Sequence, residues 1–172
     1  MIRNHPGVVE PVHTRHGMVR ARTETASDKT FLVALFESVK GPEFALMPVA
    51  RPIQLQLLNM QYQAMTTGYH AAFPAARFEV ITLNEAPIGR LITLERQDRF
   101  HIIYIAVLPE WRNRGIASAL LTAVLSEPRR RGLPCEATVA VHNLPSLRLW
   151  SRLGFTERGR NLTDVVVEWR PE

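Results

Sequence analysis

Cysteine is nearly missing: Cys135 is alone among 172 residues. That excludes a disulfide framework and a cysteine-based zinc site. Lysine is almost as scarce. Lys29 and Lys40 are the only two, so the formal charge of +5 rests on arginine. These arginines scatter along the chain, with one run at Arg129–Arg131. Scattering argues against a nucleic-acid surface as the main role. Attraction to a small anionic ligand accounts for the excess equally well. No apolar run approaches the roughly 20 residues of a membrane span. The first 13 residues have no apolar signal-peptide core. The expectation is a cytoplasmic protein with no membrane partner. Nine glycines and twelve prolines are too few for a collagen-like or linker-like chain. His5, His13 and His16 lack an acidic or cysteine partner, so no metal site is expected.

What remains is 46% hydrophobic residues, enough for one domain with a core. Residues 1–16 have no periodicity and read as a flexible tail, leaving 17–172 as a single domain. A strand is predicted over Met18–Thr25. A helix follows, capped by Ser27 or Asp28 and stopped at Gly41-Pro42. A second helix runs from Pro52 to Tyr69, where Gln61 and Tyr62 read as a polar flank or as a pocket wall. From Arg77 three strands with short turns predict an antiparallel meander ending at Val107. A helix is predicted over Gly115–Glu127 from the spacing of Ile116, Leu120, Leu121 and Val124, with Pro128 as its stop. A strand from Cys135, a short helix over Pro145–Leu153 closed by Gly154, and two last strands complete an α/β (α+β) chain.

The segment Ile105–Leu121 carries the chemistry. A strand ends at Val107, a loop holds Arg112, Asn113 and Arg114, and Gly115 and Ala117 open a helix. Such a turn presents unpaired N–H groups at the positive end of a helix. Small residues let an anion approach the backbone, so the turn reads as a phosphate cradle. Ser118 adds a hydroxyl. Neither G-x-G-x-x-G nor G-x-x-x-x-G-K-[ST] occurs.

Val107, Pro109, Arg112, Gly115 and Ala117 resemble V-x-P-x-x-[RQ]-x-x-G-x-[GA], motif A of the GCN5-related N-acetyltransferases (GNAT superfamily). Asn143, Ser146, Leu149, Gly154 and Phe155 resemble their motif B, with Trp150 where the family usually has tyrosine. The resemblance implies a mixed, mostly antiparallel sheet of about seven strands, flanked by about four helices and splayed at a cofactor cleft. It implies acetyl-CoA as cosubstrate and an amine acceptor, often in a homodimer. Carried over to this chain, it puts the pantetheine arm on the backbone of Ile105 and Val107. The pyrophosphate falls to the N–H groups from Asn113 through Gly115, Ile116 and Ala117 to Ser118, with Arg112 and Arg114 adding charge. Asn143, Ser146 and Trp150 complete the cofactor side.

His101 stands six residues before Val107, where many relatives carry a catalytic glutamate. It is the candidate base, since a neutral imidazole near pH 7 suits proton removal. It also fits a strand-end histidine facing solvent. With tryptophan at 150, Tyr104 is the candidate proton donor, or else a core ring flanked by Ile103 and Ile105. The sequence supports an N-acetyltransferase working by direct transfer. A catalytically weak acyl-CoA-binding module with the same fold is the alternative.

Overall fold

The computed structural model describes residues 9–172. Eight strands form one sheet in the order β1-β2-β3-β4-β5-β6-β8-β7. They are β1 (Val12–Thr14), β2 (Gly17–Thr23), β3 (Arg77–Leu83), β4 (Ala86–Glu95), β5 (Phe100–Val107), β6 (Cys135–Ala140), β7 (Thr156–Arg160) and β8 (Asp164–Trp169). All neighbours pair antiparallel except β5 and β6, which are parallel. The helices are α1 (Lys29–Ala45), α2 (Arg51–Ala72), α3 (Ile116–Val124), α4 (Ser126–Arg131) and α5 (Leu144–Arg152). The third and fourth are nearly continuous and share Leu125 as a junction.

The expected mixed, mostly antiparallel sheet flanked by helices is therefore present, with one strand more. That strand, β1, lies in the segment expected to be a flexible tail. Residues 1–8 of that tail fall outside the described residues. Beyond them, Val9 is buried in the main core and Val12 packs against it. Two apolar side chains under α3 outweigh the lack of sequence periodicity.

Two apolar layers sandwich the sheet. On one face Ile81, Leu91, Phe100 and Ile102 meet Ile116, Leu120, Leu121 and Val124 of α3. On the other, Val80 meets Leu32 and Phe36 of α1 and Leu58 and Tyr62 of α2. Tyr62 is thus a core ring, while Gln61 is exposed. Covered on both sides, β4 is buried without interruption from Ile88 to Leu94. A half-exposed strand would alternate instead.

Two helix stops differ from expectation. The first helix runs through Gly41 and Pro42 to Ala45. Proline removes one hydrogen bond there, but Phe44 packs against the Leu32–Phe36 cluster and holds the last turn. Pro128 lies inside α4, in its first turn, where its missing N–H has no intrahelical partner to lose. The helix ends instead at Gly132.

Candidate active site

The parallel pairing of β5 with β6 covers only Phe100–Ile102 against Cys135–Ala137. Beyond Ile102, no strand among the described residues pairs with that edge of β5. On its other edge β5 stays paired with β4 as far as Val107. Leu108 N–H donates to Ile88 O at 2.8 Å, beside the pair Gly89–Val107. Antiparallel pairs alternate in hydrogen bonding. The N–H and C=O of Val107 therefore point away from β4, and so do those of Ile105, two residues back. Both face the opening between β5 and β6, as a strand-like guest requires.

The loop after β5 is held by its own arginines. Arg112 Nε donates to Val107 O at 2.9 Å, and Arg114 Nε to Glu110 O at 2.8 Å. Arg112 thus uses one nitrogen and the Val107 carbonyl to fold the loop back, so Val107 offers the cleft its N–H alone. Asn113 at φ +57° and Gly115 at φ +78° turn the chain into α3. A Cβ on Gly115 would meet no atom within 4 Å, so the conformation requires glycine there and the space in front stays open. The first backbone bond of α3 runs from Ala119 N–H to Gly115 O. The N–H groups of Ile116, Ala117 and Ser118 precede it and lack intrahelical acceptors. An open concavity lined by N–H groups, with two exposed arginines beside it, fits a pyrophosphate.

Motif B is more structural than expected. Asn143 caps α5, its Oδ1 accepting from Ser146 N–H at 3.2 Å. Only its Nδ2 is left for a ligand. Ser146 Oγ accepts from Trp150 Nε1 at 3.1 Å. Trp150 is 3% exposed and packs edge-on against Phe155, with ring centroids 4.7 Å apart. The structure thus moves Trp150 from the expected cofactor side to the core. An indole fills the apolar space, and its single donor is spent on Ser146. Arg129–Arg131 are engaged locally: Arg130 with Glu127, Arg131 with Glu95, and Arg129 over the Trp169 ring.

His101 and Tyr104 come together by a bulge. Three residues apart on a regular strand, they would face opposite sides. Here Leu94 pairs with His101, Thr93 with Ile102, and Ile92 with Tyr104, so Ile103 is an extra residue. Leu94 and Ile92 share a face of β4, so His101 and Tyr104 share the α1/α2 face of β5. The C-terminal end of α2 covers them. Phe73 stands edge-on to His101 at 6.1 Å, and Tyr69 lies 6.2 Å from Tyr104 and 6.4 Å from Phe73. Burial holds the His101 imidazole below its ordinary value near 6.5. Burial pushes the Tyr104 hydroxyl up to about 12 and raises that of Tyr69.

Sequence reasoning missed Tyr69, Phe73 and the ion pair beneath them. Arg90, 2% exposed, donates to Glu24 through Nε at 2.5 Å and Nη2 at 3.1 Å. Its Nη1 is buried with no partner. A charged residue inside an otherwise apolar strand was the available signal. A cavity of about 580 Å3 opens on the same face beside Glu24, His70 and Phe78.

Comparison with known proteins agrees with this geometry. The model of the acetyltransferase (GNAT) family matches residues 49–155. An uncharacterised N-acetyltransferase from Methanocaldococcus jannaschii is 30% identical over 100 residues, which is 54% of this chain and 42% of that one. The chain thus spans less than half of that relative's length. PaiA N-acetyltransferase from Thermoplasma acidophilum, solved with coenzyme A, is 14% identical with a TM-score of 0.67, covering 88% of this chain and 98% of that one. The ribosomal-protein-S18-alanine N-acetyltransferase from Escherichia coli is 18% identical with a TM-score of 0.63, covering 89% and 94%. Mycobacterium smegmatis RimJ, in complex with CoA-disulfide, is 18% identical with a TM-score of 0.67, covering 94% and 86%. With its strand–loop–helix cradle, its splayed sheet and a match over both motifs, the chain belongs to the acetyltransferase (GNAT) family.

Proposed function

We propose that the protein transfers an acetyl group from acetyl-CoA directly to a primary amine, with His101 as base and Tyr104 as proton donor. The observation that carries this reading is the bulge at Ile103, by which both side chains share the α1/α2 face of β5, Tyr104 beside the β5–β6 opening and His101 in the paired stretch just before it. Acetyl-CoA, when bound, supplies an acetyl group activated as a thioester. The chain holds and moves protons. The N–H groups of Ile116, Ala117 and Ser118 hold the pyrophosphate, and Arg112 and Arg114 balance its charge. The backbone of Ile105 orients the pantetheine arm, and the Val107 N–H serves as the donor for charge building on the acyl oxygen. An acceptor amine arrives as an ammonium ion. The neutral imidazole of His101 takes its proton. As the amine nitrogen bonds to the acyl carbon and the C–S bond breaks, the Tyr104 hydroxyl, kept protonated by burial, gives a proton to the departing sulfur and regains one from the newly bonded nitrogen.

One observation favours the weaker reading, a binding module. The usual tyrosine position is filled by Trp150, buried and hydrogen-bonded inward. Turnover separates the two. Purified protein is incubated with acetyl-CoA and a panel of small amines, amino acids and peptides with free N-termini, and thiol release is followed. Turnover with any amine, lost in His101→Ala, supports the enzyme. Binding of coenzyme A with no turnover across the panel supports the module.

A further inference from the structure

We propose that Trp111 is a positioning residue of the cofactor loop, clamped between His16 and Arg114, and that this clamp sets the affinity for coenzyme A. The proposal rests on the acetyltransferase reading of the cradle above. The loop from Leu108 to Gly115 is short of regular structure, being one 3-10 turn at Pro109–Trp111 followed by a left-handed Asn113 and Gly115. Its N–H groups can serve a phosphate only if this shape is held before the ligand arrives. Two arginine-to-carbonyl bonds pin the loop from within. The third restraint comes from the far edge of the sheet. His16, in the turn between β1 and β2, meets the Trp111 ring edge-on with centroids 6.3 Å apart. On the same indole lies the Arg114 guanidinium, 5.3 Å from the centroid.

Polar contacts around this stack fix the turn that carries His16. Arg15 Nε donates to His16 Nε2 at 3.0 Å. Thr14 Oγ1 fixes the turn by accepting from His16 N–H at 3.2 Å. Arg15, Arg112 and Arg114 have no carboxylate partner among the described residues. Arg112 and Arg114 are thus exposed and outside any ion pair, where an anion would approach. Without the indole, Arg114 loses its platform and the loop its outer contact, while His101 and Tyr104 stay where β5 puts them. Binding and chemistry thus separate.

The test is calorimetric titration of coenzyme A, with steady-state kinetics in acetyl-CoA. Trp111→Ala is expected to raise Kd for coenzyme A and KM for acetyl-CoA about tenfold, within reach of two lost ring contacts. The value of kcat at saturation stays within about twofold of the unaltered protein. Trp111→Phe keeps a ring and restores Kd to within about threefold. His16→Ala tests the same clamp without touching the loop and raises Kd about threefold. Trp150 and Trp169 are buried. The fluorescence change on adding coenzyme A should therefore vanish in Trp111→Phe. Unchanged Kd in Trp111→Ala or His16→Ala overturns the proposal, and so does a loss confined to kcat. If Trp111→Ala fails to fold, His16→Ala and Trp111→Phe decide alone. Failure of the unaltered protein to bind coenzyme A at millimolar concentration defeats the acetyltransferase reading instead.

Discussion

At His101 the sign of the pH dependence follows from burial. Desolvation penalises the imidazolium, so the folded protein holds the imidazole neutral to lower pH than the unfolded chain does. As a base it is then competent throughout the neutral range, and kcat should rise with pH only below about 6.5 and stay flat above. The same shift bears on stability. A depressed folded value means that stability is full above about 6.5 and is lost as pH falls through the folded value. Glu79, whose carboxyl is raised by burial, works in the opposite direction. The difference in melting temperature between the unaltered protein and His101→Gln, followed from pH 7.5 to 5, isolates the histidine. The gap should narrow on acidification. His101→Ala is expected to cut turnover by about tenfold or more at saturating amine. Tyr104→Phe should slow turnover while coenzyme A binding is unchanged. With its hydroxyl near 12, Tyr104 should produce no alkaline limb below about pH 11. Asn143 separates two duties of one side chain. Asn143→Asp keeps the capping oxygen and loses the Nδ2 donor, so stability holds while coenzyme A binding weakens. Asn143→Ala loses the cap as well and costs about 1 kcal/mol of stability by thermal or urea melt.

At the scale of elements, much of the pattern was legible because periodicity and burial agree. Ile116, Leu120, Leu121 and Val124 fall on one face of α3 in the sequence and are all buried there in the structure. The meander was legible from its turns. What escaped was tertiary in origin. The strand β1 exists because Val9 and Val12 find α3, a contact with no local signature. Pro42 and Pro128 looked like stops, yet each sits where its missing N–H is cheap or where packing compensates. The bulge at Ile103 escaped because a bulge is an agreement between two strands, and one strand's sequence does not state it. For that reason His101 and Tyr104 were each legible as candidates, but their shared face was not. Tyr69 and Phe73 were hidden for a similar reason, since their role depends on where the end of α2 falls. Another pairing irregularity gives a stability prediction. The register between β3 and β4 shifts beside Gly89, where an added Cβ would stand 2.4 Å from Ala106 O. That neighbour is backbone in the central ladder and cannot move aside. Gly89→Ala should therefore cost about 2 kcal/mol or more, read as a fall in melting temperature.

For the whole molecule, ligand binding should appear as stability. Coenzyme A at 100 times its Kd adds about 2.7 kcal/mol. In a chain of this size that raises the melting temperature by roughly 5–11 °C. Half the expected rise in Trp111→Ala at the same concentration would accord with a weakened clamp. The arginine excess of the composition has a structural counterpart as well. Most of the arginines are tied to carboxylates, among them Arg22 to Asp28 at 2.7 Å and Arg158 and Arg170 to Glu168. Those left free at the loop before α3 are the ones a phosphate would meet. Among the described residues, no helix is long and apolar enough to cross a membrane.

The three-residue seam between β5 and β6 has a mechanical meaning. It divides the sheet into a five-strand leaf and a three-strand leaf, stitched by three rungs and by the α3–α4 crossover between them. A guest lying along Ile105 and Val107 supplies rungs that the protein omits. On the proposed reading, bound coenzyme would act as a temporary ninth strand and join the two leaves while it is present. Amide hydrogen exchange should register this as slower exchange at Ile105 and Val107, and across the seam at Thr138 and Ala140. A catalyst that must release its spent coenzyme each cycle has reason to leave that seam unsewn.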